Sequence, residues 1–343
     1  MKALVLTAYG KLEMQDAPEP DCGPADVLVR VKACGICGSD VHGLDGSTGR
    51  RIPPLIMGHE ASGVIAEVGK EIERWKPGDR VTFDSMISCG ACWHCGRGEI
   101  NLCENRRILG VSCDEYRRHG AFAEYVAIPR RILYRIPDGV DFSQAAMMEP
   151  LSVAVHAVRL ARPLVGETAV VVGAGMIGLL ILQVLRASGC AAVISVDIDA
   201  AKLRRARELG ADAALDPSAL DFRPEVEACT AGRGADIAFE AVGVSAALQT
   251  ASAAVRKGGR LVLVGNVSPK VDLPLQSIVT REIALLGSCA SQGEYPECLD
   301  LVARGKVDLG SLISARAPLA EGAQWFERLY KREGDLLKVI LEP

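Results

Sequence analysis

The stretch "GICGSDVH" places Cys37, Ser39, Asp40 and His42 within six residues, "GHEASG" adds His59 and Glu60, and "MMEPLSVAVH" adds Glu149. Thiolate, imidazole and carboxylate are all zinc donors. A mixed set with few thiolates suits an open catalytic site, where one position is kept for water or substrate. On spacing alone, His59 also fits a core histidine and Glu60 a surface charge. A second cluster is of a different kind. "CGACWHCGRGEINLC" carries Cys89, Cys92, Cys95 and Cys103 within fifteen residues. Each C-x2-C step lets a tight turn aim two thiolates at one ion, and four thiolates complete a tetrahedron with Zn–S bonds near ~2.3 Å. That set is closed to substrate, so it reads as a structural zinc site, replacing a hydrophobic core in an excursion too small to have one. His94, between two of the cysteines, reads as a solvent-facing passenger. The isolated Cys190, Cys229, Cys289 and Cys298 read as small buried hydrophobes.

A third pattern points to a nucleotide. "VVVGAGMIG" is G-x-G-x-x-G at Gly173, Gly175 and Gly178. It follows a predicted strand and opens a predicted helix, the context the fingerprint requires. Gly173 makes the turn, Gly175 lets the backbone approach a pyrophosphate, and Gly178 allows close helix packing. The pyrophosphate sits on the N-terminus of the helix that Met176 and Ile177 begin. Asp197 ends the next strand, where a carboxylate accepts bonds from the adenosine ribose and repels a 2′-phosphate by a few kcal/mol at an effective dielectric of about 20. NAD is therefore expected over NADP, with Asp199 adding to the acidic side.

These groups need a scaffold. Up to about residue 145 the chain reads as short strands and Gly/Pro turns: "DVLVRVKACGI", "ASGVIAEVG", "GDRVTF" and "AFAEYVAI". A β-rich, barrel-like domain is expected. Near residue 150 the pattern changes. Six buried-type runs, from "TAVVVGAG" to "EIALLGSC", alternate with helical stretches such as "SAALQTASAAVRKGG". Strands alternating with helices make a doubly wound parallel sheet, giving an α/β fold. A helix in "YPECLDLVARGK" and a strand in "LLKVILEP" close the chain and are expected to rejoin the first domain.

The chain has 343 residues, a net charge of -4 and a pI near 5.8. It has no basic field for nucleic acid. No apolar run reaches the ~18 residues needed for a bilayer, so no membrane partner is expected. No secretory pattern opens the sequence, and the clustered thiols suit a cytoplasmic setting.

Together, and in this order, "GICGSDVH", "GHEASG", the cysteine lobe, "EPLSVAVHA" and "VVVGAGMIG" resemble the zinc-dependent medium-chain dehydrogenases, in the branch of sorbitol, threonine and butanediol dehydrogenases. The resemblance covers essentially the whole chain. It implies a GroES-like catalytic domain of residues 1–150 and 288–343, with the structural zinc lobe at 86–106, and a Rossmann NAD-binding domain of residues 151–287. It implies an active site in the cleft between them, two zinc ions per chain, and a homodimer or homotetramer. Cys37, His59 and Glu60 would hold the catalytic zinc, with Glu149 binding it directly or through its water. Cys89, Cys92, Cys95 and Cys103 would hold the structural zinc.

Zinc has no redox chemistry and would act as a Lewis acid toward the substrate hydroxyl, while hydride passes to the nicotinamide. By the resemblance, Ser39 lies beside the reacting oxygen. His42 would pass the proton to solvent, since imidazole is the side chain that exchanges protons near neutral pH. Asp40 orients these groups or makes a plain structural bond, and His156 reads as packing or ligand support. The expected reaction is oxidation of a secondary alcohol, a polyol or sugar alcohol, to the ketone. A polyol phosphate resembling galactitol 1-phosphate, or L-threonine, stays open. The Arg-aromatic pair of the polyol branch falls on Ala290 and Ser291, which argues against sorbitol itself. Arg50, Arg51, Arg117 and Arg118 read as solvated charges, with an anion-binding role as the other option. A non-catalytic NAD-binding relative would have no use for the proton relay, and zinc-free quinone reductases lack the cysteine lobe.

Overall fold

The computed structural model describes residues 1–113, 116–218 and 222–343. It divides into two compact units. The first comprises Met1–Glu149, Tyr295–Ala303 and Leu309–Pro343. Its main sheet has seven strands. Six follow the order Leu133–Arg135, Arg80–Phe83, Glu60–Val68, Asp26–Gly35, Lys338–Glu342, Ile313–Pro318, and Tyr125–Pro129 also pairs with Asp26–Gly35. The alternation in "DVLVRV" buries Val27, Val29 and Val31, which join Leu4, Phe83, Leu109, Phe122 and Phe326 in one apolar core. Phe122 and Phe326 meet edge to face, with centroids 5.6 Å apart. The cysteine lobe springs from this unit at a two-strand base, where Met86 pairs with Ile108 and Ile87 with Arg107.

The second unit comprises Pro150–Glu294 and Arg304–Asp308. Its six strands are parallel, in the order Ala213–Leu215, Ala192–Val196, Thr168–Val172, Ala235–Glu240, Val255–Leu263, Ala284–Gly287. Numbered from Thr168–Val172, that is 3-2-1-4-5-6, the doubly wound dinucleotide-binding order. The run "TAVVV" is buried throughout, as a strand covered on both faces must be.

Three details depart from the sequence expectations. The second crossing of the chain falls at Glu294/Tyr295 rather than at residue 288, and residues 304–308 also belong to the second unit. Side chains explain this. Glu294 pairs with His156 Nδ1 at 2.9 Å, and Gln183 exchanges two hydrogen bonds with the backbone of Asp308. The helix expected through "AAVRKGG" stops at Ala254. Val255 begins a strand, because its register with Ala235 continues the sheet and Gly258 and Gly259 are poor helix formers. Of the four isolated cysteines, Cys190 and Cys298 are buried, but Cys229 and Cys289 are exposed. No helix among the described residues is long and apolar enough to cross a membrane.

Candidate metal centre and dinucleotide turn

Strand register assembles the first centre. Glu60 opens its strand directly opposite Gly35, and Gly35 also faces Ile340 on the other side. Cys37 lies two residues beyond Gly35, and His59 one residue before Glu60. One donor atom from each of Cys37, His59 and Glu60 lies within 4.8 Å of the others. A Cβ at Gly35 would stand 2.3 Å from Oε2 of Glu60, so only glycine leaves room for that carboxylate.

Asp40 backs His59. It is wholly buried, and its Oδ2 lies 3.3 Å from His59 Nδ1. Neither atom makes a well-formed hydrogen bond. With Nδ1 facing a carboxylate, Nε2 remains as the donor to a metal. Burial works to raise the pKa of Asp40, but the charges of His59 and Arg51 outweigh it and hold the carboxyl well below its ordinary range. Burial works the other way on His59, where Asp40 and Cys37 together prevail and raise the imidazole. A half-buried thiol, a buried imidazole backed by a carboxylate and a second, buried carboxylate make a donor set that fits zinc.

Ser39 and His42 lie on the short helix Gly38–Gly43, three residues apart, and both are exposed. Ser39 Oγ donates to Cys37 Sγ at 3.3 Å. Glu149 stands in the first turn of the helix Met148–Ala161 and falls outside the three-donor group. Burial pushes its pKa up to about 7, with Glu60 and Asp84 adding like-charge repulsion and His59 and Lys338 opposing it.

Two residues of this centre escaped the sequence reading. Lys338 is 3% exposed and donates to Oε2 and Oε1 of Glu60 at 2.6 and 2.8 Å, and to the Ile36 carbonyl at 3.1 Å. Burial opposes its charge, but Glu60 and Cys37 more than compensate and raise its pKa. The available signal was a lysine inside the apolar closing strand, since a buried lysine is nearly always paired. Arg51, read as a solvated charge, is instead 4% exposed and paired with Asp40. Arg50 is exposed, Arg118 donates to the Ala127 carbonyl, and the side chain of Arg117 lies outside the described residues.

The second cluster is local. The sulfurs of Cys89, Cys92, Cys95 and Cys103 lie within 4.8 Å of one another. Cys89 and Cys95 are 3.9 Å apart, close to the ~3.8 Å edge of a tetrahedron with ~2.3 Å bonds. Backbone N–H groups of Ala91 and Cys92 pull Cys89 down to about 6, whereas burial pushes Cys95 up to about 11. Four thiols this close cannot all ionise without a cation, so the lobe also fits zinc. His94 turns to Glu99, 2.9 Å away, and is not part of the sulfur group.

In the second unit, Gly175 caps the helix Met176–Ala187, whose first turn presents the Met176 and Ile177 amides. A Cβ at Gly178 would lie 1.7 Å from the Gly173 carbonyl oxygen, whereas one at Gly175 would meet nothing within 4 Å. The open side of Gly175 is a cradle that suits a pyrophosphate. Asp197 Oδ2 accepts from Ala174 N at 2.7 Å and Oδ1 from Asp199 N at 3.0 Å, which fixes the carboxylate beside the glycine turn. Asp199, expected to add acidic charge, instead caps the next helix through the amides of Ala201 and Lys202.

Comparison with known proteins agrees with this geometry. The alcohol dehydrogenase GroES-like domain family matches residues 23–138, and the zinc-binding dehydrogenase family matches residues 177–304. Sorbitol dehydrogenase of Bacillus subtilis is 33% identical over all of this chain and 97% of its own length. D-xylulose reductase A of Aspergillus oryzae is 36% identical over 97% of this chain and 94% of its own. A solved structure from Sinorhizobium meliloti, bound to NADP, superposes with a TM-score of 0.91 at 36% identity, covering 100% of this chain and 99% of that one. This chain therefore belongs to the zinc-dependent medium-chain dehydrogenases, in their sorbitol dehydrogenase-like branch.

Proposed function

We propose that this protein oxidises a secondary alcohol of a polyol or sugar alcohol to the ketone with NAD, using Cys37, His59 and Glu60 as catalytic zinc ligands. The observation that carries the reading is the meeting of those three donors within 4.8 Å, with Asp40 behind the histidine. When bound, zinc supplies Lewis acidity toward the substrate hydroxyl and NAD accepts a hydride. Ser39 takes up the hydroxyl proton, and His42, exposed one helical turn on, releases it to solvent. Each turnover yields a ketone, NADH and one proton. Glu149, outside the three-donor group, supports the site through water. Cys89, Cys92, Cys95 and Cys103 hold a second, structural zinc.

The fixed carboxylate of Asp197 supports NAD over NADP, and the NADP-bound relative makes that preference a point for direct assay. The four thiols must stay reduced, which supports a cytoplasmic setting. Exposed Val267, Leu275 and Val279 precede an edge strand, Ala284–Gly287, and support a homodimer or homotetramer. The test is NAD reduction across polyols, polyol phosphates, diols and threonine, with metal analysis of the same sample. Cys37→Ser should abolish turnover while NAD binding, measured by titration calorimetry, stays near wild type. Normal turnover in that variant would refute the ligand assignment.

A further inference from the structure

All three nitrogens of the Arg51 guanidinium donate hydrogen bonds, and two of them reach into the centre. Its Nε and Nη2 donate to Oδ1 of Asp40 at 3.0 and 2.8 Å. The same Nη2 donates to Ser39 Oγ at 3.3 Å, and Nη1 donates to the Arg50 carbonyl at 3.0 Å. Asp40 in turn faces His59 through its other oxygen, and Ser39 faces Cys37. One guanidinium thus touches the carboxylate behind the donor histidine and the hydroxyl beside the donor thiol. The backbone makes room for it: a Cβ at Gly43 would stand 2.5 Å from Arg51 Cγ.

We propose that Arg51 is the positioning residue of this centre, holding Asp40 against His59 and the Ser39 hydroxyl beside Cys37 with a single buried guanidinium. The inference rests on reading Cys37, His59 and Glu60 as a catalytic metal site. Geometry requires arginine here. A planar fork fixes Oδ1 of Asp40 from two directions and leaves Oδ2 for the imidazole, which a lysine ammonium on its flexible stem does not do. Donation from Nη2 also fills one of the two acceptor positions on Ser39 Oγ. The hydroxyl hydrogen points to Cys37 Sγ, which leaves the other acceptor position to receive the substrate's proton. Zinc retention and proton relay therefore share one support.

Arg51→Met, Arg51→Lys and Gly43→Ala are compared with wild type as full-length, zinc-loaded protein. The readouts are zinc retained against graded EDTA, kcat and KM at saturating zinc, and the thermal midpoint. In Arg51→Met the catalytic zinc should leave at roughly 10- to 100-fold lower chelator. With zinc restored, kcat should remain down by roughly 10- to 100-fold while KM for NAD is unchanged. Arg51→Lys should recover part of the zinc retention and little of kcat. Gly43→Ala crowds Arg51 without removing its charge, in a helix where alanine is the better former. It should lower kcat with at most a modest fall in the thermal midpoint, because the overpacking cost is partly offset by the helix preference for alanine and no charge is lost. This covers the case in which Arg51→Met fails to fold. Zinc retention and zinc-restored kcat within twofold of wild type in Arg51→Met, or a wild-type kcat in Gly43→Ala, overturns the proposal even if the midpoint of Arg51→Met drops. A wild type holding one zinc, or a Cys37→Ser that keeps two, overturns the metal-site reading itself and takes this inference with it.

Discussion

Replacing Lys338 with Met tests how the Glu60 carboxylate is held. The two groups are 3% and 1% exposed and meet at 2.6 Å. At an effective dielectric of 20 that contact is worth about 6 kcal/mol of gross attraction, most of it offset by the desolvation of both ions. Removing one partner leaves the other buried and unbalanced, at a cost of about 3–5 kcal/mol. Methionine replaces the lysine stem nearly in volume, so little cavity cost is added. A zinc ion held by Cys37, His59 and Glu60 would place positive charge beside the same carboxylate. The metal-free variant should therefore lose about 3–5 kcal/mol relative to metal-free wild type, and the zinc-loaded variant on the order of 1–2 kcal/mol relative to zinc-loaded wild type. Comparing within each metal state cancels the lobe's own dependence on zinc. Urea unfolding followed by tryptophan fluorescence reads this directly, because all three tryptophans, Trp75, Trp93 and Trp325, belong to the first unit. Equal losses with and without zinc, or a metal-free loss below about 1 kcal/mol, would show that the ammonium and the metal do not share Glu60.

Cys92→Ser should lower bound zinc by about one ion per chain and open the 89–103 loop to proteolysis, with NAD binding unchanged. A variant that keeps full zinc and wild-type protease resistance would remove the structural role. Asp197→Ser should raise the NADP-to-NAD ratio of kcat/KM by roughly 10- to 100-fold, since a few kcal/mol of repulsion at a dielectric of 20 disappears. An unchanged ratio would mean that Asp197 serves only the turn amides it now binds. For Glu294, burial works to raise the pKa, but the hydrogen bond and charge of His156 prevail and lower it. A depressed folded value contributes stability that is present above the unfolded pKa near ~4.3 and is lost as the pH falls through the folded one. Glu294→Gln should thus be less stable near neutrality and show a flatter acid limb by circular dichroism. A variant with the wild-type acid slope would count against the pair.

Local chemistry was legible from the residues alone. A C-x2-C step brings two thiols together through one turn, whatever the rest of the fold does, so the cysteine lobe needed no tertiary information. The same holds for Gly173, Gly175 and Gly178, whose roles follow from a single strand–turn–helix. The six-strand alternation likewise announced the parallel sheet, because its central runs, such as Thr168–Val172, are buried on both faces and must be apolar. What the sequence could not convey was which charges are buried. Lys338 and Glu60 are separated by 278 positions, and only the registers of Gly35 with Glu60 and of Gly35 with Ile340 bring them together. Arg51 sits beside an exposed arginine in a Gly/Pro-rich turn, and nothing in that turn distinguishes a solvated guanidinium from one folded onto Asp40. The Glu294–His156 pair, 138 positions apart, moved the unit boundary for the same reason. Short-range geometry is written in spacing, whereas the fate of a charge depends on the dielectric around it, and that exists only once distant strands have packed.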